Sequence, residues 1–146
     1  MNSEAFLGQI DPLELMTFAP ELVMWRRGLV DNEDDVAQFM FHGGPVSPRM
    51  AAIASDGEDD RPDKSYWDDV KTEMHLFLCT DDARYRELWK RINALENKSS
   101  TALVGIIAAF LGASLGVAAA LLAGFVAVCL YAFAKLGKEA YCRHTA

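Results

Sequence analysis

Charge is missing from one long stretch of this 146-residue chain: residues 101–134, TALVGIIAAFLGASLGVAAALLAGFVAVCLYAFA, hold no Asp, Glu, Lys or Arg. Cysteine and histidine are scarce, with three of each. The cysteines, Cys79, Cys129 and Cys142, are odd in number and widely spaced, so no disulfide framework is expected. The histidines, His42, His75 and His144, are scattered, and the only close pairing is His75 with Cys79 at i and i+4, too few ligands for a zinc site. Also absent are a P-loop, a G-x-G-x-x-G turn, a G-x-S-x-G elbow and the ligand spacing of an EF-hand around Glu58-Asp59-Asp60. These absences argue against an enzyme and against a resident metal or cofactor. The first residues, Met1-Asn2-Ser3-Glu4, lack the basic and apolar regions of a secretory signal.

What fills the uncharged stretch is Ala, Gly, Leu and Val. A bilayer core about 30 Å thick is crossed by ~20 apolar residues in a helix, so the segment qualifies as membrane-spanning. One straight helix over all of it would run roughly 50 Å, more than ordinary tilt absorbs. A break is expected at Gly112-Ala113-Ser114-Leu115-Gly116, which leaves two legs, 99–112 and 117–136. The alternative is one long helix. In its favour, Gly105, Ala109, Gly112, Gly116, Ala120, Ala123 and Ala127 keep a common helical phase, and Gly112 with Gly116 forms a G-x-x-x-G pair of the kind that lets membrane helices pack closely. The expected packing or turn residues are Gly105, Ala109, Gly112, Ser114, Gly116 and Ala123. A helix apolar all round can also be the buried core of a soluble protein. Roughly a hundred remaining residues are expected to be too few to enclose this one.

Basic residues stand on both sides: Arg84, Arg86, Lys90, Arg91 and Lys98 before the run, Lys135 and Lys138, then Arg143, after it. Cytoplasmic flanks of membrane segments collect such residues. A hairpin with both ends in the cytoplasm satisfies the pattern, whereas a single span leaves one basic flank outside. Acidity lies elsewhere. Residues 1–80 carry six basic and sixteen acidic residues, a balance of −10, and residues 81–146 carry eight and five, a balance of +3, which together give the net charge of −7.

The expected fold is all-α: an acidic cytosolic helical head over 1–54, a charged linker at 55–64, amphipathic stalk helices over 65–98, the membrane segment at 99–136 and a cytosolic tail. Asp11-Pro12-Leu13-Glu14 has the cap, first-turn proline and third-position glutamate of a helix start, and Pro20-Glu21 suggests another. Further helices are expected at 31–41 and from Ser47-Pro48 to Ala54, with His42-Gly43-Gly44-Pro45 a loop between them. Tyr66, Trp67, Val70, Met74, Phe77 and Leu78 recur at helical spacing. After the capping Thr80-Asp81-Asp82, so do Tyr85, Leu88, Trp89, Ile92 and Leu95. That last helix has two readings: an interfacial helix whose arginines meet anionic lipid, or an ordinary amphipathic helix packed on 65–79. Cys142 occupies a juxtamembrane position of the type that is acylated in other proteins.

The C-terminal half, with Leu78-Cys79-Thr80 leading to Tyr85, Asn97-Lys98-Ser99-Ser100-Thr101-Ala102, the Ala/Gly/Leu stretch and Lys135-Leu136-Gly137-Lys138-Glu139-Ala140-Tyr141-Cys142, resembles small bacterial membrane proteins. Some of these are similar to transmembrane effectors of anti-phage operons of the CBASS-like or Hailong type, which are paired with nucleotidyltransferases. The resemblance covers about 65 residues and stops short of the acidic head. It implies a homo-oligomeric effector in the bacterial inner membrane, held inactive until infection and then permeabilising or depolarising that membrane, with a nucleotide or oligonucleotide as regulatory ligand. The competing expectation is a membrane-anchored interaction protein whose acidic head recruits a basic cytosolic partner.

Overall fold

A computed structural model of the chain describes residues 10–41, 64–96 and 99–145. The linker at 55–63, the loop at 42–45, the helix from Ser47 and the cation Lys98 lie outside the described residues. All described elements are helical: α1 (Pro12–Leu15), α2 (Leu22–Arg26), α3 (Glu33–Phe41), α4 (Lys64–Cys79), a 3₁₀ turn (Ala83–Tyr85), α5 (Arg86–Ala94), α6 (Ser100–Leu115), α7 (Ala119–Leu136) and α8 (Lys138–Thr145).

Local chemistry sets most of these boundaries. The Asp11 side chain accepts from the Leu13 amide and Pro12 occupies the first turn of α1, the combination that satisfies an orphan helix amide without losing a needed donor. Asp82 accepts from the Arg84 amide and starts the 3₁₀ turn. Ser99 caps α6 by accepting from Ala102.

The uncharged run is broken into two antiparallel helices, so the single long helix is not formed. The break falls at Gly116-Val117-Ala118, at the far end of the expected interval, and α6 continues past Gly112 to Leu115. Gly116 has φ 74°, the left-handed conformation that ends helices and that glycine adopts without steric cost. The Val117 amide donates to the Gly112 carbonyl at 2.9 Å. A Cβ on Gly112 would stand 2.5 Å from the Val117 carbonyl oxygen, so its missing side chain lets the turn fold over the helix end.

The second half of α7 is enclosed, and the outer strip of α6 and the turn is not. From Phe125 to Phe133 every residue of α7 is at most 6% exposed, a run longer than two helical turns and therefore covered on all sides. Around it pack α6, α4, α8, α3 and α1. Trp67 of α4 lies 5.3 Å from the Phe125 ring, Trp25 of α2 5.2 Å from Tyr131, and Tyr141 of α8 meets Phe133 edge-on at 5.5 Å. The rest of the chain thus covers the second half of α7, whereas Gly105, Ala109, Ser114, Gly116 and Leu121 of the uncharged run stay exposed, so the segment as a whole is not enclosed.

The head reaches the hairpin directly. The Asp11 amide donates to Ser100 Oγ at 2.6 Å, and Glu14 Oε1 accepts from the Thr101 hydroxyl at 3.0 Å and its amide at 3.3 Å. A carboxylate at the N-terminus of α6 also meets the positive end of the helix dipole. Gly124 permits a second close approach: a Cβ there would lie 2.6 Å from Met40 Cε and 3.1 Å from the Phe18 carbonyl oxygen.

Three glycine substitutions separate these roles. Gly116→Ala should cost about 1–2 kcal/mol because of its backbone angle, and Gly112→Leu about 1–3 kcal/mol or more through overpacking at the turn. Gly105 has open space around its α-carbon, so Gly105→Ala should be neutral or stabilising by up to about 1 kcal/mol. Urea unfolding monitored by circular dichroism measures all three, and equal losses at Gly105 and Gly112 would contradict this hairpin.

Candidate functional site: the sheathed apolar hairpin

The stalk helices do not lead away from the hairpin; they fold back along it. The α5 stripe of Leu88 and Ile92 is fully buried, Trp89 stacks on Phe77 of α4 at 4.4 Å, and Tyr85 lies 5.6 Å from Phe110 of α6. Of the two readings of this helix, packing on 65–79 therefore holds in this structure. Leu95, extended at φ −65° and ψ 130°, ends α5 ahead of the reversal into α6.

The fold-back moves the flanking cations. Arg84 and Arg91 line a cavity of about 460 Å³ together with Glu73, Tyr85, Phe110, Ala113 and Ser114. Both therefore sit beside the second half of α6 instead of before its start. Arg84 pairs with Asp82 at 3.1 Å and Glu73 at 3.6 Å, and Arg91 with Glu87 at 3.6 Å and the Phe110 ring at 6.0 Å. Arg86 and Lys90 are exposed on α5. Lys135 ends α7 with its ammonium 5.9 Å from the Trp25 ring, and Lys138 begins α8.

The small residues do not share one face once the turn has formed. Gly105, Ala109 and Gly116 are exposed, as are Ser114 and Ala120; Ala123 is half-buried; Gly112 and Ala127 are buried. The expected continuous stripe is split because Gly116 leaves the helical phase. What remains is an uncharged exposed strip along α6 and the turn, while most of the large side chains of both helices are buried and Leu121 and Leu136 are exposed. By length and composition α7 can cross a membrane, with a mean hydropathy of 2.0 over 18 residues, and more than half of that window is buried inside the protein.

At the opposite side α3, α4 and α8 meet. Glu33, only 2% exposed, opens α3, and its Oε1 lies 2.8 Å from His144 Nε2. Asp34 accepts from Trp67 Nε1 at 2.9 Å and Lys71 Nζ at 2.8 Å. Burial works against the Asp34 carboxylate, but these two hydrogen bonds outweigh it and hold its pKa below the usual carboxylate value. The same pair raises the Lys71 pKa against its own burial. Burial, then the hydrogen bond to Glu73, pushes the Tyr85 hydroxyl up. His75 Nδ1 meets Thr145 Oγ1 at 2.7 Å, which ties α4 to α8. Among the described residues no group of three metal-ligating side chains occurs.

Cys79 and Cys142 form a disulfide, with Cα atoms 5.5 Å apart and a sequence separation of 63. The expectation of no disulfide is corrected, and Cys142, at its juxtamembrane position in the sequence, is one of the two bridged cysteines. The odd count is explained by Cys129, a buried free thiol on α7. The pairing was hidden because it depends on the hairpin returning α8 to the end of α4. By loop-closure entropy such a bridge contributes on the order of 4 kcal/mol.

Comparison with protein-family models, with curated proteins and with solved structures finds no match.

The Asp34–Lys71 pair sets a pH window. The depressed Asp34 pKa gives stability that is present above its unfolded value, near pH 4, and is lost as pH falls through the lower folded value. The raised Lys71 pKa gives stability that is present below its unfolded value and is lost as pH rises through the higher folded value. Urea midpoints of the wild type and Asp34→Asn should differ at pH 6 and converge by about pH 2–3. A constant difference across that range would exclude the pair as the cause.

Proposed function

We propose that this chain is a helical membrane effector whose apolar hairpin is carried in a sheathed form and released into the bacterial inner membrane. There it assembles with further copies and permeabilises or depolarises the membrane. Anti-phage defence is the setting that the resemblance of the C-terminal half implies, with a nucleotide or oligonucleotide as the regulatory ligand and the acidic head on the cytoplasmic side. The observation that carries this reading is the position of α5. Its apolar stripe covers α6, and it carries Arg91, with Arg84 just ahead of it, beside the second half of that helix, charges that hydrocarbon disfavours.

The sheath is therefore a removable part. Once α5 departs, α6 and α7 offer an uncharged hairpin with cations only near its ends. The exposed Gly105 and Ala109 then permit close helix contacts between copies. Beyond Thr101, Ser114 in the last turn of α6 and Tyr131 of α7 are the polar side chains of the uncharged run, so a conducting path is narrow and relies on backbone at the Gly116 turn.

A second reading is favoured by the complete enclosure of Phe125 to Phe133. In it α7 stays the core of the bundle, and the acidic surface of the head binds a basic partner. Such binding weakens steeply with salt and moves no ions.

Membrane potential in bacteria induced to make the full chain, beside a chain ending at Lys98, separates the two. The effector reading expects depolarisation with the full chain alone. Unchanged potential with both chains, together with salt-sensitive capture of one basic protein by the full chain, would replace it with the interaction reading.

A further inference from the structure

We propose that the Cys79–Cys142 disulfide is a site of thiol–disulfide exchange that latches α8 over the hairpin, so that a dithiol reductant converts the locked bundle into one able to open. The proposal rests on the effector reading above for its consequence at the membrane, but its structural part stands separately.

The geometry makes α8 the simplest piece of sheath to release. It is eight residues long and joins α7 through Gly137, whose φ of 84° is open to glycine. Everything else that holds it is non-covalent. Tyr141 is fully buried against Phe133, His144 pairs with Glu33, and Thr145 meets His75. Tyr141 is thus the plug that closes the bundle over the C-terminal half of α7. An isolated helix of eight residues is far below the length that is stable in water. Its folding depends on these contacts and on the covalent tie to α4.

Both sulfurs belong to half-buried residues at the surface of the α4–α8 contact, so a small thiol can approach. A thiolate of the reductant attacks one protein sulfur and forms a mixed disulfide, and the other protein sulfur leaves as a thiolate and takes a proton. The second thiol of the reductant then closes on the first, releasing the remaining cysteine as a thiol. Two electrons pass from the dithiol to the protein, and the reductant ends as its own disulfide. The reverse exchange with a small disulfide restores the latch. Cys129, enclosed on α7, takes no part.

The consequence fits a cytoplasmic position, where thiols are kept reduced and disulfides are transient. There the dithiol form is competent to open and oxidation locks it. Since both cysteines lie on the same side of the hairpin, one compartment controls both ends of the latch.

The test uses the purified full chain in three forms: oxidised, reduced by dithiothreitol and reoxidised, with Cys142→Ser as a fourth that cannot relatch. Hydrogen exchange is followed at the amides of residues 138–145, and dye release from vesicles of phosphatidylethanolamine and phosphatidylglycerol is recorded in parallel. The latch predicts exchange at least tenfold faster in the reduced chain and in Cys142→Ser, recovery on reoxidation, and faster dye release from the unlatched forms. Unchanged exchange in α8 on reduction would overturn it. Faster exchange in α8 with no dye release from any form retains the latch and overturns the effector reading instead.

Discussion

The structure depends on finding cover for α7. The large apolar side chains of Phe125 to Phe133 are removed from water on every side, and the turn at Gly116 begins the task by letting α6 bury one side of α7. The other sides are closed by helices that cannot stand alone. α1 and α2 are only four and five residues long, and α3 and α5 nine each. Isolated helices of such length are marginal in water, so each is helical because α7 and α6 give its apolar stripe a partner. The dependence is mutual: the sheath needs the hairpin to fold, and the hairpin needs the sheath to remain in water.

The mutual dependence makes the bundle a candidate for two states. A lipid bilayer offers α6 and α7 the same relief from water that the sheath does, and the sheath helices carry apolar stripes suited to a membrane surface. The charges discriminate between the states. Arg84 and Arg91 are comfortable beside α6 while water reaches them, and costly there once it does not. The disulfide, the Glu33–His144 contact and the Asp34–Lys71–Trp67 cluster all tie α8, α3 and α4 together on one side, whereas α5 is held to α6 mainly by apolar contact. Opening from the α5 side and unlatching at α8 are therefore separable steps.

Much of the fold was legible in the sequence because it rests on local chemistry. Asp11-Pro12 starts α1, Asp82 starts the 3₁₀ turn, the stripe from Trp67 to Leu78 forms α4, and glycine ends α6 at the place where uninterrupted helix became too long. Long-range placements were not legible. Nothing in the spacing of Tyr85, Leu88 and Ile92 says that their helix folds back on α6 rather than leading away. Cys79 and Cys142 are neighbours only after the hairpin has formed. Gly124 carries no signal of the Phe18 carbonyl above it. The uncharged run was the most ambiguous feature, since a membrane span and an enclosed core helix demand the same composition.

The central claim, that one hairpin is sheathed in water and unsheathed at lipid, is tested most directly by the distance between α5 and α6. Spin labels carried by noncanonical side chains at Lys90 and Ala109, both exposed, leave the cysteines untouched. Pulsed electron resonance in buffer should give one short distance, and addition of anionic vesicles should move a substantial population to a longer one. The same short distance in vesicles that are nonetheless permeabilised by the protein would contradict the account.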